Sequence, residues 1–589
     1  MDSHNTSLTD STFIGNIATQ DGGAVSWNGA NGILTGCNFT SNHATADGGG
    51  VYWNWVNGTL YNSNFVNNIA DGNGGAISWQ GTNGTIINST FVNNVAHAHN
   101  GGAVSWNGAN GAVINSNFIK NSATNNGGGI SWGGANGTLT GSIFTENLAI
   151  NYNGGAIWWE GANGTITDTT FNDNTATNVG GAVFWQGTNS NVSNCNFKGN
   201  HAIQGDNVWW AWTVEDFLNK YSQINDYDYV YIYNGIGTPS KTIVLNKKGV
   251  TITSQGSVTF DAKGSNLHFE ITGDNVLIEK ITFRNFNFSE GGAILWRGIN
   301  GTLKNCNFNN NTAKGSGAGI FWSGAKGVLT NCIFTNNEAS YGGGVYWSGA
   351  DGILTDSTFT GNSAEYNGGA VRWNGLNGII SSCNFIENTA NVNGGGVMWE
   401  NTNGILFNST FANNNAYQRG GGIFWYGVNG TLTSSNFNKN TAIAHGGGIF
   451  WSGVGGILVS STFTENKANM DGAGVYWSGA NANLIDSTFN SNTANRYGGA
   501  VYLNVEGSIV KCNFINSNSV KSNGIYVVHT LNISGGSGIV HVFVNGNLSG
   551  TSIVVLNNET YYYPPDTNIN LNNKTNNMEV SEDIKYPIS

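Results

Sequence analysis

Carboxylates at one repeated position are the residues of this chain that could do catalytic chemistry. Hydrolysis of a glycosidic bond needs two carboxyl groups about 5–10 Å apart, which stacked repeats would provide as acids at the same position of neighbouring repeats. The position after a repeated tryptophan carries Glu160 and Glu400, and each stands alone among other residue types. A lyase would need an Arg or Lys base beside calcium-binding Asp residues, and no such cluster is visible. We therefore predict that the protein is not an enzyme.

The cysteines and histidines could in principle bind metal or form disulfides. All six cysteines stand two residues before a repeated phenylalanine: Cys37, Cys195, Cys306, Cys332, Cys383 and Cys512. This shared position indicates small core residues. Cys306 and Cys332 alone fall on successive repeats, close enough for a disulfide in principle, and whether they are bonded stays open. The nine histidines lack ligand spacing, so we expect no metal site and no cofactor.

These residues must be positioned by a repeat, which tryptophan marks. Trp recurs every 25 to 27 residues from Trp27 to Trp185 and again from Trp296 to Trp477, and the pattern Phe-x-x-Asn keeps the same period. Short β-branched and aromatic runs bounded by Gly and Asn predict strands, and no repeat holds a stretch long enough for a helix. A unit of about 26 residues with two or three short strands is typical of one turn of a solenoid. The predicted fold is all-β, a right-handed parallel β-helix, or pectin-lyase-like solenoid, with about 26 residues per coil.

Alternation along the strand before each Trp sorts its residues into inner and outer rows. In the pattern Gly-Gly-Ala-Val-x-Trp, the Val and Trp positions hardly change, so we assign both to the core. The residue between them varies from repeat to repeat and is assigned to the outside. Seven of these residues are predicted to form an exposed aromatic strip and to bind a ligand: Trp158, Phe184, Phe321, Tyr346, Phe424, Phe450 and Tyr476. The alternative is that they reflect strand propensity or contact with a flanking loop.

The turns have their own chemistry. Asn-Gly pairs such as Asn31-Gly32 and Asn57-Gly58 permit positive φ at little cost. The Asn of Phe-x-x-Asn is predicted to stack its amide on the Asn of the next coil, forming an asparagine ladder.

Composition limits the partners and the location. The chain has 34 acidic and 22 basic residues, a net charge of −12, and no basic stripe, so we expect no nucleic-acid partner. It has no apolar run of about 18 residues, so we expect no membrane-spanning helix. The first residues enter directly into the repeat without a signal segment, which we interpret as a fragment of a longer chain with its export signal upstream.

We predict four segments along the chain. Residues 1–204 are a first β-helix block and residues 291–524 a second. Residues 205–290, which lack the repeat, contain a helix start at Thr213 and Asp216 that resembles a capping box, and are predicted to be a short capping helix with irregular coils. Residues 525–589 are predicted to hold a partial β-rich segment, in which an immunoglobulin-like module could begin, and a disordered tail. A continuous solenoid with a side insertion is the alternative.

The repeat resembles that of known surface proteins. Gly-Gly-Ala-Val paired with Phe-x-x-Asn, as in Gly22–Val25 with Phe39 and Asn42, resembles the repeat of chlamydial polymorphic outer membrane proteins. It is similar also to adhesin-like proteins of gut methanogenic archaea, and the absence of a C-terminal membrane barrel favours this second group. The resemblance implies a pectin-lyase-like fold, a cell-surface location and attachment to other cells or glycans. It implies no catalytic residues.

Three hypotheses about function remain. The first is an extracellular surface adhesin, a rigid solenoid whose outer rows bind cell-surface glycans or surface proteins of a partner cell. The second is a polysaccharide lyase or glycoside hydrolase of the β-helix type. The third is a passive cell-surface spacer.

Overall fold

The predicted fold class is confirmed by the strand pairing. A computed structural model describes residues 4–520 and 524–528 and, as strands only, 531–534, 537–544, 552–556, 559–563, 567–574 and 577–580. A regular coil has four short strands, for example Val51–Trp53, Thr59–Tyr61, Asn64–Val66 and Ile69–Ala70. Each strand pairs in parallel with the equivalent strand of the next coil, so that Trp53 lies opposite Trp79. The chain is a right-handed parallel β-helix of about 26 residues per coil, with the hand that parallel crossovers take.

The chain forms two compact units. The first consists of residues 1–235 and 247–255, and the second of residues 236–246 and 256–589. We call the strand that ends at the repeated Trp the tryptophan strand. In the first unit this series is Val25–Trp27, Val51–Trp53, Ile77–Trp79, Val104–Trp106, Ile130–Trp132, Ile157–Trp159, Val183–Trp185 and Val208–Trp212. In the second unit it is Ile294–Trp296, Ile320–Trp322, Val345–Trp347, Val371–Trp373, Val397–Trp399, Ile423–Trp425, Ile449–Trp451 and Val475–Trp477, continued by Val501–Leu503 and Ile525–Val527.

The other three strands of each coil stack in the same way. In the first unit their series run from Ser7–Thr9 to Asn191–Ser193, from Thr12–Ile14 to Asn196–Lys198 and from Ile17–Ala18 to Thr175–Ala176. In the second unit they run from Leu277–Glu279 to Gly507–Val510, from Val258–Asp261 to Asn513–Ile515 and from Asn287–Phe288 to Thr493–Ala494.

The core consists of stacked rings, as the alternation predicts. The repeated Trp side chains from Trp27 to Trp159 and from Trp296 to Trp477 are fully buried, which confirms their assignment to the core. Successive indole rings lie nearly parallel with centroids 4.4–5.2 Å apart in the second unit. The Phe of Phe-x-x-Asn forms a second stack, for instance Phe39 on Phe65 at 4.7 Å. Because the rings repeat at the spacing of paired strands, about 4.8 Å, sheet pairing and ring stacking reinforce each other.

The predicted asparagine ladder is present and buried. Asn147 illustrates the pattern: its backbone N–H and its side-chain amide both donate to Oδ1 of Asn174, at 3.0 and 2.9 Å. The same amide also donates to the carbonyl of Phe118 at 2.9 Å. Each ladder Asn therefore satisfies the backbone of a turn that would otherwise bury unpaired polar groups.

The two residues of the Asn-Gly turn have different structural roles. Asn is the residue with positive φ, +57° at both Asn31 and Asn57. The following Gly is required because the indole of the preceding Trp fills the space of a side chain: a Cβ at Gly32 would lie 2.4 Å from Nε1 of Trp27. The glycine is therefore a packing residue of the tryptophan stack.

The segment without repeats contains the predicted helix. The helix Val214–Lys220 begins at Thr213, whose hydroxyl accepts from the backbone N–H of Asp216, and the reciprocal bond of a capping box is also formed. A short 3₁₀ helix, Tyr221–Gln223, follows it. Among the residues that the structure describes, no helix combines the length and apolar character needed to span a bilayer.

Short strands follow the helix. In the first unit they are Tyr229–Ile232 and Thr251–Ser254. In the second unit they include Ile243–Leu245, Phe269–Ile271, Leu277–Glu279 and Ile281–Arg284.

The C-terminal strands are longer and include antiparallel pairs. Ser537–Val544 pairs with Ile525–Val527 in parallel and with Thr567–Lys574 in antiparallel. Ser552–Leu556 pairs with Glu559–Tyr563, and Asn577–Val580 pairs with Thr567–Lys574. The last strand falls within the stretch predicted to be disordered, whose residues 581–589 lie outside the described residues. The four-segment division of the chain stays a prediction.

We expect Gly111→Ala to destabilise the first unit by about 1–3 kcal/mol, the usual cost of overpacking a core. The new Cβ would lie 2.4 Å from Nε1 of Trp106, an indole held between the rings of Trp79 and Trp132. Gly133→Ala is the control, because the nearest atom to its Cβ would be the flexible side-chain oxygen of Asn107 at 3.1 Å. Denaturant unfolding followed by Trp fluorescence measures both, and equal midpoints would contradict the packing role of Gly111.

We expect Asn147→Ala to cost about 2 kcal/mol or more, because a buried donor left without its acceptor costs about 1–3 kcal/mol and further ladder bonds are lost. The N–H of Asn121 loses its acceptor, Oδ1 of Asn147, and the carbonyl of Phe118 loses the bond from the Asn147 amide. Asn172→Ala, on the partly exposed side of a strand of the next coil, should change stability by less than about 0.5 kcal/mol. Thermal unfolding of both variants tests the ladder, and a similar small loss for each would argue against it.

Candidate binding surface

We call the middle residues of the tryptophan strands the variable row. All seven predicted ligand-binding residues belong to it, two in the first unit and five in the second. The expectation that they form an exposed strip is wrong for three of them, since Phe184, Phe424 and Phe450 are only 8%, 7% and 5% exposed. The other four, Trp158, Phe321, Tyr346 and Tyr476, are half-buried.

One cause of this burial is stacking along the row. In the second unit the ring centroids of Phe424 and Phe450 are 4.9 Å apart, and those of Phe450 and Tyr476 are 4.8 Å apart. Met398 packs at one end of this group. At the other end the stack continues through Tyr502 and Tyr526, with separations of 4.7 and 4.9 Å. Each ring therefore covers much of the two faces of its neighbours.

A second cause is the turn that precedes each tryptophan strand. We call the residue immediately before Gly-Gly or Gly-Ala the rim row, which in the second unit contains Asn367, Asn393, Arg419, His445, Asp471 and Tyr497. The Arg419 guanidinium lies over the Phe450 ring, 5.2 Å from its centroid. The His445 ring lies 4.8 Å from the Tyr476 ring. Contact with this flanking turn, the alternative considered from the sequence, thus adds to the burial of Phe450 and partly covers Tyr476.

Phe321 and Tyr346 form a separate stack with centroids 5.0 Å apart. Arg372, the next member of the row, places its guanidinium 5.4 Å from the Tyr346 centroid and 4.3 Å from that of Tyr341. Its Nη2 donates to Glu400 at 2.8 Å. Both side chains of this ion pair are less than one-fifth exposed. The pair is therefore shielded from solvent and links two successive coils at this row.

A second charged group lies beside the tyrosine stack. The Asp471 carboxylate is almost fully buried and accepts from both Nε and Nη2 of Arg496, the first at 2.7 Å. Nδ1 of His445 lies 3.1 Å from the same carboxylate. Burial raises the pKa of Asp471, but hydrogen bonds from Arg496 and His445 outweigh burial and lower it below the usual value. Asp471 is therefore a charged, neutralised structural group.

In the first unit, part of the variable row consists of small polar residues. Its variable row carries Ser78, Ser105 and Ser131, all buried. Beside them Asn100 and Asn126 belong to another ladder, in which the N–H of Asn126 donates to Oδ1 of Asn100 at 3.1 Å. The row becomes aromatic at Trp158 and Phe184, which are paired in register, and Phe184 stacks on Trp209 at 4.7 Å.

Reasoning from the sequence missed several residues of this surface. Tyr502, Tyr526 and Trp209 continue the variable row but lie where the repeated Trp is replaced or the repeat is interrupted. Arg419, His445 and Asp471 lie on the turn before the tryptophan strand, where alternation along the strand gives no information. Reading the position before Gly-Gly at the same period would have identified them.

Within the described residues, neither Glu160 nor Glu400 has a second free acid beside it. Glu400 is paired with Arg372. Burial raises the pKa of Glu160, and no other cause contributes. Across the described residues, no group of three or more His, Cys, Asp or Glu side chains could hold a metal ion.

The cysteines are core residues, as their shared position predicts. All six are free thiols in the structure, Cys306 and Cys332 included. Five are buried, and Cys195 is partly exposed. Burial raises the pKa of Cys195 to about 11 and the pKa values of Cys383 and Cys512 to about 12.

Comparison with family models identifies two matches. Residues 292–462 match the right-handed β-helix region, and residues 168–184 and 486–504 match the repeat of the Chlamydia polymorphic membrane proteins. Among curated protein sequences, none matches this chain. The chain thus contains β-helix repeats of the polymorphic-membrane-protein type.

Solved structures with a similar fold belong to several different kinds of protein. A mannuronic-acid-specific family 6 polysaccharide lyase from the human gut microbiota is 12% identical, with a TM-score of 0.38 over 55% of this chain and 86% of the lyase. The Dettilon tailspike protein is 15% identical, with a TM-score of 0.33 over 61% and 72%. PfbA, a surface adhesin of Streptococcus pneumoniae, is 13% identical, with a TM-score of 0.25 over 60% and 91%. At this level, likeness does not discriminate between an enzyme and a binding protein.

We expect Cys195 to be the only thiol that reacts in the folded protein, and to react slowly. With a pKa of about 11, about one thiol in a thousand is ionised at pH 8, so its alkylation rate should rise tenfold per pH unit. Mass spectrometry after maleimide labelling from pH 7 to 9 measures this rise, and all six thiols should react in denaturant. Rapid labelling at pH 7, or a disulfide between Cys306 and Cys332, would contradict this prediction.

Proposed function

We propose that the protein is an extracellular surface adhesin whose β-helix presents a binding face to cell-surface glycans or to surface proteins of a partner cell. The observation that carries the proposal is that the variable row and its rim change from coil to coil. The inner rows, in contrast, consist of core rings, asparagine ladders and packing glycines. A face that differs between otherwise equivalent coils is where selection for a partner can act.

The face offers accessible rings in the second unit. Ahead of the tryptophan strands, Tyr366 on the strand Ser363–Asn367 is 41% exposed and Tyr417 on a turn is 51% exposed. Tyr426, next to the repeated Trp425, is 61% exposed. Rigid, amphipathic rings give contact area at low entropic cost and are common in binding surfaces. These tyrosines can stack on sugar rings or pack against a protein surface.

The seven predicted residues take two roles in this proposal. Phe321, Tyr346 and Tyr476 in the second unit are partly exposed and would contact the ligand at the bottom of the face. Trp158, also partly exposed, would do the same on the variable row of the first unit. Phe184, Phe424 and Phe450 are too deeply buried for direct contact and would hold the ring stack and the rim in place.

The charge arrangement favours binding over hydrolysis. Two carboxylates that flank the row, Glu400 and Asp471, are both engaged by arginines, whereas glycoside hydrolysis needs one carboxylic acid to donate a proton and a second carboxylate to act as base or nucleophile.

The surface location is part of the proposal. It is supported by the polymorphic-membrane-protein repeats at residues 168–184 and 486–504 and by the resemblance to archaeal adhesin-like proteins.

We expect the double variant Tyr417→Ala/Tyr426→Ala to bind its target at least tenfold more weakly, because exposed aromatic anchors at the centre of an interface commonly contribute more than about 1.4 kcal/mol together. Phe407→Ala is the matched control, since Phe407 is 39% exposed in the same unit but lies on a different strand of the coil. Binding to a glycan array and to intact microbial cells, with thermal unfolding as a folding check, measures the effect.

Three outcomes would count against this proposal. No binding to any glycan or cell would favour a passive spacer. Equal loss in the Phe407 control would place the binding face elsewhere. Release of reducing sugars or unsaturated uronates from a polysaccharide would make the protein a β-helix enzyme.

A further inference from the structure

Arginine is rare in this chain and is concentrated beside the variable row. The chain has five arginines, and three of them, Arg372, Arg419 and Arg496, lie against rings of the row or of its rim in the second unit. The whole chain is acidic, with a net charge of −12. A local group of arginines on an acidic protein marks a place where an anionic partner can approach.

Four of the five arginines are already engaged. Arg284 pairs with Asp261 and Arg297 with Glu270. Arg372 and Arg496 pair with Glu400 and Asp471. Arg419 is exposed, and within the described part of the chain it has no carboxylate partner.

The Arg419 guanidinium is nevertheless held in place. It lies 5.2 Å from the centroid of the Phe450 ring, a geometry in which the cation is attracted to the ring face. Its backbone is bridged to Asn393 on one side and to His445 on the other, so the Cα position is fixed by the β-helix. A planar donor group that is already oriented loses less entropy when it binds a carboxylate or a sulfate.

Two exposed rings lie on the same coil as this arginine. Tyr417 lies two residues before Arg419 on the same turn, and Tyr426 follows the adjacent tryptophan strand. The coils repeat at about 4.8 Å, comparable to the length of one sugar ring, so a saccharide along the helix axis would meet one coil per residue. A duplex nucleic acid would need a long basic stripe, which the chain lacks.

Resting on the proposed function, we infer that this face of the second unit binds an acidic polysaccharide, with Arg419 pairing to a carboxylate or sulfate while Tyr417 and Tyr426 contact the sugar rings. Arg372 and Arg496 would position the face through their ion pairs. The ligand class is thus an anionic glycan, and neutral glycans should bind more weakly.

The test compares Arg419→Ala, Arg419→Lys and Lys439→Ala with the unmodified chain. Lys439 is exposed and pairs with Glu465, so its removal changes the charge equally at a position outside the variable and rim rows. Biolayer interferometry measures binding to polygalacturonate (carboxylate), dextran sulfate (sulfate), dextran (neutral) and poly-glutamate (an acidic polypeptide). Thermal unfolding checks the fold of each variant.

We expect Arg419→Ala to lower the affinity for at least one of the two acidic polysaccharides at least tenfold, Arg419→Lys to retain part of it, and Lys439→Ala to stay within twofold. The acidic polysaccharide that loses most identifies the anionic group. Equal affinity for dextran, equal affinity for poly-glutamate, or binding unchanged in Arg419→Ala would overturn the inference. If neutral glycans or cells still bind, the adhesin proposal survives that result; if nothing binds, both fall.

Discussion

Parallel pairing in register is the constraint on which this structure depends. In the regular coils, strand residues lie directly above and below the residues at the same position of the neighbouring coils, about 4.8 Å away, as Trp53 does opposite Trp79. A core position therefore favours side chains that pack well against copies of themselves. Flat rings stack, and asparagine amides donate to the next asparagine, as Asn147 does to Asn174. This requirement explains why so few residue types make up the repeat.

The same pairing constraint also influences which residue types occur in the variable row. In the second unit the variable row also stacks on itself, so aromatic residues there bury one another, as Phe424 and Phe450 do. Charged residues are tolerated where a neighbouring turn or coil supplies the opposite charge, as Glu400 does for Arg372. Arg419 departs from this rule, because a ring and not a carboxylate supports it. Polar side chains that a partner could bind are therefore expected where the sequence departs from the repeat.

Much of the fold could be predicted because marker residues recur at a regular spacing along the sequence. The spacing of Trp indicated the coil length, and strict alternation placed Trp27 and its equivalents inside, where they are fully buried. The candidate surface was predicted less well. Alternation within a three-residue strand tells which way a side chain points, but it does not tell whether a turn covers it. Phe450 points away from the core and is still buried. Neighbouring rings stack on both its faces, and Arg419 of the adjacent coil lies over it.

By itself, the sequence determined the coil length, the inner rows, the turn asparagines and the positions that vary, since all of these follow from local periodicity. Only the tertiary structure decided how much of the variable row reaches solvent, which arginines find carboxylates, and why the turn glycines are needed. Gly32 illustrates the difference: its pairing with Asn31 reads as a flexible turn, yet the atom that excludes a side chain there belongs to the indole of Trp27. Such contacts join residues whose distances depend on the folding of whole coils, and no local pattern encodes them.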